Sequence, residues 1–153
     1  FERHYIQLSI LGSGEFSEAV KASSVSSGQV YAIKRMKRPF TGPRDRLRHL
    51  EEVDILRHLG SHPNVISLHE AWEQDAHLYI AAELCPLGTL ALFLEGYGYL
   101  VGHLDEPRLW KVLVELSAGL AHIHESGVLH LDLKPANVFI TAVGTLKIGD
   151  FGL

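Results

Sequence analysis

The sequence predicts an α+β chain in two parts, a strand-rich first half with one inserted helix and a helical second half. Three patterns predict it. Apolar residues alternate with period two in YIQLSIL (5–11) and recur in LYIAAEL (78–84), as strands require. RDRLRHLEEVDILRHL carries its apolar residues at helical spacing between Pro43 and Gly60. After Gly88 the spacing turns helical throughout, with no internal repeat or low-complexity tract.

Each element follows in order. The segment from 5 to 11 is the first strand, and AVKASSV after the Gly12–Gly14 turn reads as the next. Ser26, Ser27 and Gly28 form a turn in the β-branched stretch from Val25 to Ile33. The inserted helix directs Val53, Leu56 and Leu59 toward a core, with Leu47 and Leu50 on another side. Cys85 to Gly88 is an extended connector, and Thr89 opens a short helix. Asp105 is the N-cap of a longer helix, which places Trp110, Leu113, Leu116, Leu120 and Ile123 on one apolar face.

Composition sets the outer limits. The chain has 153 residues, 46% hydrophobic and 21% charged, enough for one globular core. Its formal net charge of −4 provides no broad cationic surface, which argues against DNA or RNA as a partner. A single cysteine, Cys85, leaves no intrachain disulfide, and no apolar run is long enough to span a bilayer. With no signal peptide in view, these features suit a reducing intracellular compartment and no membrane association.

Four segments in order carry chemistry. LGSGEFSEAV (11–20) places Gly12 and Gly14 in a turn between strands, where missing Cβ atoms let backbone N–H groups approach phosphate oxygens. A dinucleotide fingerprint would need a helix after the glycines and a Walker loop would need Gly-Lys-Ser/Thr; a strand follows instead. VYAIK (30–34) ends in Lys34, whose ammonium can contact α and β phosphates if a carboxylate holds it. Glu52 on the helix is the candidate carboxylate, because Glu51 lies about 100° around the helix and cannot face the same way.

In HLDLKPANVFI (130–140), Asp132 can accept or orient the proton of a substrate hydroxyl and Lys134 can neutralise a transferring phosphoryl group. Asn137 and Asp150, the latter in IGDFGL (148–153), supply oxygens for Mg²⁺. This order of motifs resembles the eukaryotic protein kinases over nearly all of the chain. The resemblance implies a two-lobed kinase-like fold, with a complete strand-rich N-lobe at 1–84, a hinge at 85–88 and the start of a helical C-lobe at 89–153, ending just after DFG. The 153-residue chain alone, without the activation segment and the helices that seat a protein substrate, is then expected to be inactive. The apolar face of its long helix should also leave it prone to aggregate or to be partly molten after about residue 105.

Within the kinases the chain is similar to the Wee family of mitosis-inhibiting kinases, above all its fungal members, through GSGEF, YAIKR, PFTGPRDR, EAWE (70–73), ELC and HLDLKPAN. That similarity implies ATP and Mg²⁺ as cofactors and transfer to the inhibitory tyrosine of a cyclin-dependent kinase complex. It also implies a chiefly nuclear location with the cytoplasm still open, and a monomeric full-length protein. Leu11, Gly12, Ser13, Gly14, Ala19, Ala32, Lys34, Glu83, Cys85 and Phe139 would contact the nucleotide. The backbone at Glu83 and Cys85 would pair with the adenine edge, and Ala82 would be a small gatekeeper.

Three departures stand out. Leu131 replaces the arginine that most kinases use to hold a phosphorylated activation loop, as in the Wee family. Ser17 replaces the third glycine, and Ala19 the valine that normally roofs the adenine. Lys134 is also typical of serine/threonine kinases, so a general serine/threonine kinase stays open as an alternative, as does a non-catalytic nucleotide-binding module. The basic run Lys34, Arg35, Lys37 and Arg38 reads as a solvated strand edge.

Overall fold

The computed structural model describes residues 1 and 3–151. The last two residues of IGDFGL lie outside them. The chain divides into two compact units, Phe1–Arg57 with Ser67–Leu84, and His58–Ile66 with Cys85–Leu153.

The first unit is a five-stranded antiparallel sheet with a helix. Its strands are β1 (Tyr5–Ser13), β2 (Ser17–Ser24), β3 (Val30–Met36), β4 (Leu68–Gln74) and β5 (His77–Glu83), in the order β1-β2-β3-β5-β4. Helix α1 spans Pro43–Leu59. Its first turn is capped by Asp45, whose carboxylate accepts from the Thr41 N–H at 2.9 Å.

Period-two alternation sorts the sheet into two faces. Val20, Ala22, Tyr31, Ile33, Tyr79 and Ala81 pack into a buried cluster on one, joined by Tyr5. There Tyr5 stacks on Trp72 and Trp72 on Tyr79, with ring centroids 5.4 and 5.1 Å apart. The other face carries a row set by register: Gly12 opposite Ala19, Ala19 opposite Lys34, and Ala32 opposite Ala82. On α1, Val53, Leu56 and Leu59 are buried and Leu47 is exposed.

In the second unit, α2 (Leu90–Val101) and α3 (Glu106–Glu125) accompany a two-stranded ribbon of β6 (Val138–Ile140) and β7 (Leu146–Ile148). The Thr89 hydroxyl accepts from Leu92 N–H at 3.3 Å, and Asp105 accepts from Arg108 N–H at 3.1 Å, so both helices begin on N-caps. Leu90, Val138, Ile140 and Leu146 form the core, with Leu94, Val112 and Leu116 against it.

The buried stripe of α3 runs through Val112, Leu116, Gly119 and Ile123, while Trp110 and Leu113, one step around the helix, are 58% and 56% exposed, in keeping with the expected uncovered apolar face. Strand β4 was missed because LHEAWEQ lacks clean alternation; it is an edge strand, most of whose residues are exposed or only half-buried.

Candidate active site

In the first unit the candidate residues lie on β1 to β3 and on α1. Lys34 lies on β3, and its Nζ donates to both carboxylate oxygens of Glu52 on α1, at 2.9 and 2.8 Å. Glu52 is 9% exposed. A largely buried carboxylate is costly without a cation, so this bidentate contact holds each partner in place. Glu51, its sequence neighbour, is exposed.

Cross-strand pairing lines up Gly12, Ala19 and Lys34, so the glycine segment and the lysine share one row of the sheet. A Cβ built on Gly12 meets no atom within 4 Å, and its backbone needs no left-handed conformation. Neither turn geometry nor packing inside the chain requires glycine at 12. Along β3 and β5, Ala32 and Ala82 face each other in register, which keeps that part of the sheet face shallow. Glu83 is tied by two hydrogen bonds: its N–H to the Ser67 carbonyl at 3.1 Å, and its carboxylate from the Ser67 N–H at 2.7 Å.

The second unit carries its own cluster of polar residues, around a loop between α3 and β6. Asp132 and Lys134 pair at 2.7 Å, and Asn137 Nδ2 donates to the Asp132 carbonyl at 2.9 Å and to its Oδ2 at 3.1 Å. Asn137 is buried at the end of a 3-10 turn, Pro135–Asn137. The Lys134 hydrogen bond above all holds the Asp132 carboxyl below the usual carboxylate range, with Lys134's charge and Asn137 adding to it. The same contact raises Lys134. Asp132 is therefore a stable anion that two donors have oriented.

His130 links this loop to the following motif. Its Nε2–H donates to the Gly149 carbonyl at 3.0 Å, and its Nδ1 accepts from the Asp132 N–H at 3.3 Å. The ring also lies 4.8 Å from that of Phe151. A further bond, Gly149 N–H to the Asn137 carbonyl at 3.0 Å, brings the Asn137 segment beside Asp150.

A side chain at Gly149 would strike Ile66, the built Cβ lying 2.7 Å from Cγ1. Leu131 and Asp150 both adopt left-handed backbone, φ 62° and 63°, although neither is glycine. Such strain persists only where surrounding bonds impose it, and here it flanks the acidic residues. The Asn137 amide oxygen and the Asp150 carboxylate are hard oxygen donors of the kind Mg²⁺ takes in small number when phosphates complete its shell. Phe139, on β6, is half-buried and Cys85 lies on the connector.

A strand-borne lysine held by a helical carboxylate and a glycine-containing turn in the same sheet, with an acidic loop braced by asparagine in the second unit, are features of the protein kinase class of domain. The chain belongs to that family: the protein kinase domain model matches residues 5–153. It is 50% identical over 147 residues to the mitosis inhibitor protein kinase wee1 of Schizosaccharomyces pombe, covering 95% of this chain and 17% of that protein. It is 40% identical over 158 residues to the mitosis inhibitor protein kinase SWE1 of Candida albicans, covering 94% and 13%. A probable protein kinase of Dictyostelium discoideum is 38% identical over 98% of this chain and 44% of its own length. The chain thus spans less than half the length of each of these relatives.

Sequence reasoning did not anticipate the strained backbone at Leu131, since leucine does not signal positive φ. Lys37 is exposed just past the end of β3, as the solvated-edge reading expects, and its Nζ also donates to the Gly14 carbonyl at 2.5 Å, a contact the sequence did not signal.

Proposed function

We propose that this chain carries the catalytic apparatus of a Wee-type kinase, which transfers the ATP γ-phosphoryl group to the inhibitory tyrosine of a cyclin-dependent kinase. The observation that supports it most is the Asp132 carboxylate, ionised and oriented by Lys134 and Asn137. An oriented carboxylate can accept a hydrogen bond from the attacking hydroxyl and align its oxygen with phosphorus. Because its pKa is depressed, Asp132 is a weak base, better at orienting that hydroxyl than at deprotonating it early.

Lys134, paired to Asp132 before the reaction, is placed to follow charge onto the transferring phosphoryl group. Lys34, fixed by Glu52, would hold the α and β phosphates, and the amides from Gly12 to Gly14 would meet phosphate oxygens. Asn137 and Asp150 would hold Mg²⁺, which supplies charge neutralisation on the phosphates. Ala19, Ala32 and Ala82 would face the adenine, with Leu11, Phe139 and the backbone at Glu83 and Cys85 completing its contacts.

The similarity to wee1 and SWE1 supports the mitotic substrate and, with it, a nuclear site of action. The test is phosphotransfer from labelled ATP to a cyclin-dependent kinase complex by the full-length protein, with an Asp132→Asn control and phosphoamino-acid analysis. Label on tyrosine, absent in the control, supports the reading. Label on serine or threonine replaces it with a kinase of another class, and MgATP binding without any label replaces it with a non-catalytic module. Imaging of the tagged full-length protein checks the location.

A further inference from the structure

The tip of the β1–β2 turn is tied to the exit of β3 by several bonds. Gly14 N–H donates to the Ser17 carbonyl at 2.9 Å, and the Lys37 N–H donates to the Phe16 carbonyl at 2.9 Å. The Lys37 ammonium reaches back to the Gly14 carbonyl at 2.5 Å. Alongside, Arg35 pairs with Glu18 at 2.9 Å, and Ser17 stands opposite Met36 in register. A glycine-containing turn left to itself loses much conformational freedom on becoming ordered. Here strand β3, which carries Lys34, also holds the turn.

We propose that Lys37 is a positioning residue for nucleotide phosphate, clamping the glycine turn through the Gly14 carbonyl. The inference rests on the kinase reading above and concerns a residue outside its catalytic set. The peptide unit is planar and trans, so a Gly14 carbonyl turned toward Lys37 turns the Glu15 N–H the opposite way. The clamp therefore selects one direction for the donor at the tip and keeps it before any ligand arrives. A charged donor on a carbonyl makes a stronger bond than a neutral pair would. Lys37 and Lys34 are three residues apart on one run of chain, so turn and phosphate-binding lysine keep a common register.

The experiment measures binding of MgATP, MgADP and adenosine to the full-length protein and to its Lys37→Met and Lys37→Arg variants, with thermal melting of each. Lys37→Met keeps the aliphatic stem and removes the donor. It is expected to weaken MgATP and MgADP about threefold to tenfold, leave adenosine unchanged and melt as the parent does. Lys37→Arg is expected to recover most of the loss. Unchanged MgATP binding in Lys37→Met overturns the clamp, and so does an equal loss for adenosine, which would mean a general structural role. An arginine variant no better than methionine overturns the donation to Gly14. A parent protein that binds no MgATP refutes the kinase reading itself, a result distinct from failure of the clamp.

Discussion

Gly119 gives the sharpest test of how the second unit is packed. Replacing glycine by alanine inside a helix ordinarily stabilises by about 1 kcal/mol, because alanine loses less backbone entropy. At Gly119, within α3, a Cβ would lie 2.7 Å from the Asn64 carbonyl oxygen, 3.0 Å from Ile148 Cδ1 and 3.3 Å from Asn64 Cβ. The isoleucine end can move. The carbonyl cannot retreat freely, because it accepts from Ile148 N–H at 2.9 Å, and Asn64 Nδ2 is itself bonded to the Leu146 carbonyl at 2.9 Å.

Overpacking of this kind costs about 1 to 3 kcal/mol and cancels or exceeds the helical gain, so Gly119→Ala is expected to destabilise by about 0 to 2 kcal/mol net. Gly96 in α2 is the control. It is exposed, and its Cβ would meet nothing within 4 Å, so Gly96→Ala should stabilise by about 0.5 to 1 kcal/mol. Urea unfolding of the full-length protein, followed by helical circular dichroism, measures both. A Gly119→Ala variant as stable as Gly96→Ala would refute the close packing of α3 against the Asn64 carbonyl.

Other outcomes follow from the site. Asp132→Asn should lower kcat by about 10²- to 10⁴-fold with folding intact, and unchanged turnover would remove Asp132 from its role. In the parent, the acid limb from this carboxylate should fall below the ordinary aspartate range, as the Lys134 hydrogen bond dictates. Glu52→Gln leaves Lys34 without its anionic partner and should cut kcat/KM about 10- to 100-fold, read from steady-state kinetics at varied ATP. Ala82→Phe should weaken bulky ATP-competitive inhibitors relative to the parent, and equal inhibition would argue against open space beside Ala32.

His62 gives a pH test. Its ring stacks 4.5 Å from His122, and its Nδ1 accepts from the Asn64 N–H at 3.1 Å. Burial first, then the charges of His122 and Lys147, lower its pKa. The unfolded chain then binds the proton more readily than the folded one, so stability falls as pH drops through about 6.5 toward the folded value. His62→Gln should flatten that part of the stability profile in urea melts at stepped pH.

How far the residues alone carry the reading can be judged from particular cases. Lys34, Glu52, Asp132, Lys134 and Asn137 were singled out from residue type and spacing, which survive in one dimension, and the structure pairs Lys34 with Glu52 and both Lys134 and Asn137 with Asp132. Helix starts at Thr89 and Asp105 were legible too, since an N-cap is a bond between residues three apart.

What only the tertiary structure decided involves groups distant in sequence. His130 reaches the Gly149 carbonyl across 19 residues and Lys37 closes on Gly14 across 23, whereas the Lys34–Glu52 pair, 18 apart, was already expected from the helix face. The same holds for which face of α3 is buried, because helical spacing marks an apolar stripe but not the neighbour that covers it, and Trp110 and Leu113 fell on the uncovered side. The left-handed backbone of Leu131 has the same origin: leucine does not favour positive φ, so contacts from elsewhere in the fold must impose it. Residue types and their spacing determined the chemistry available to this chain. Where those groups meet depended on contacts between segments far apart in sequence.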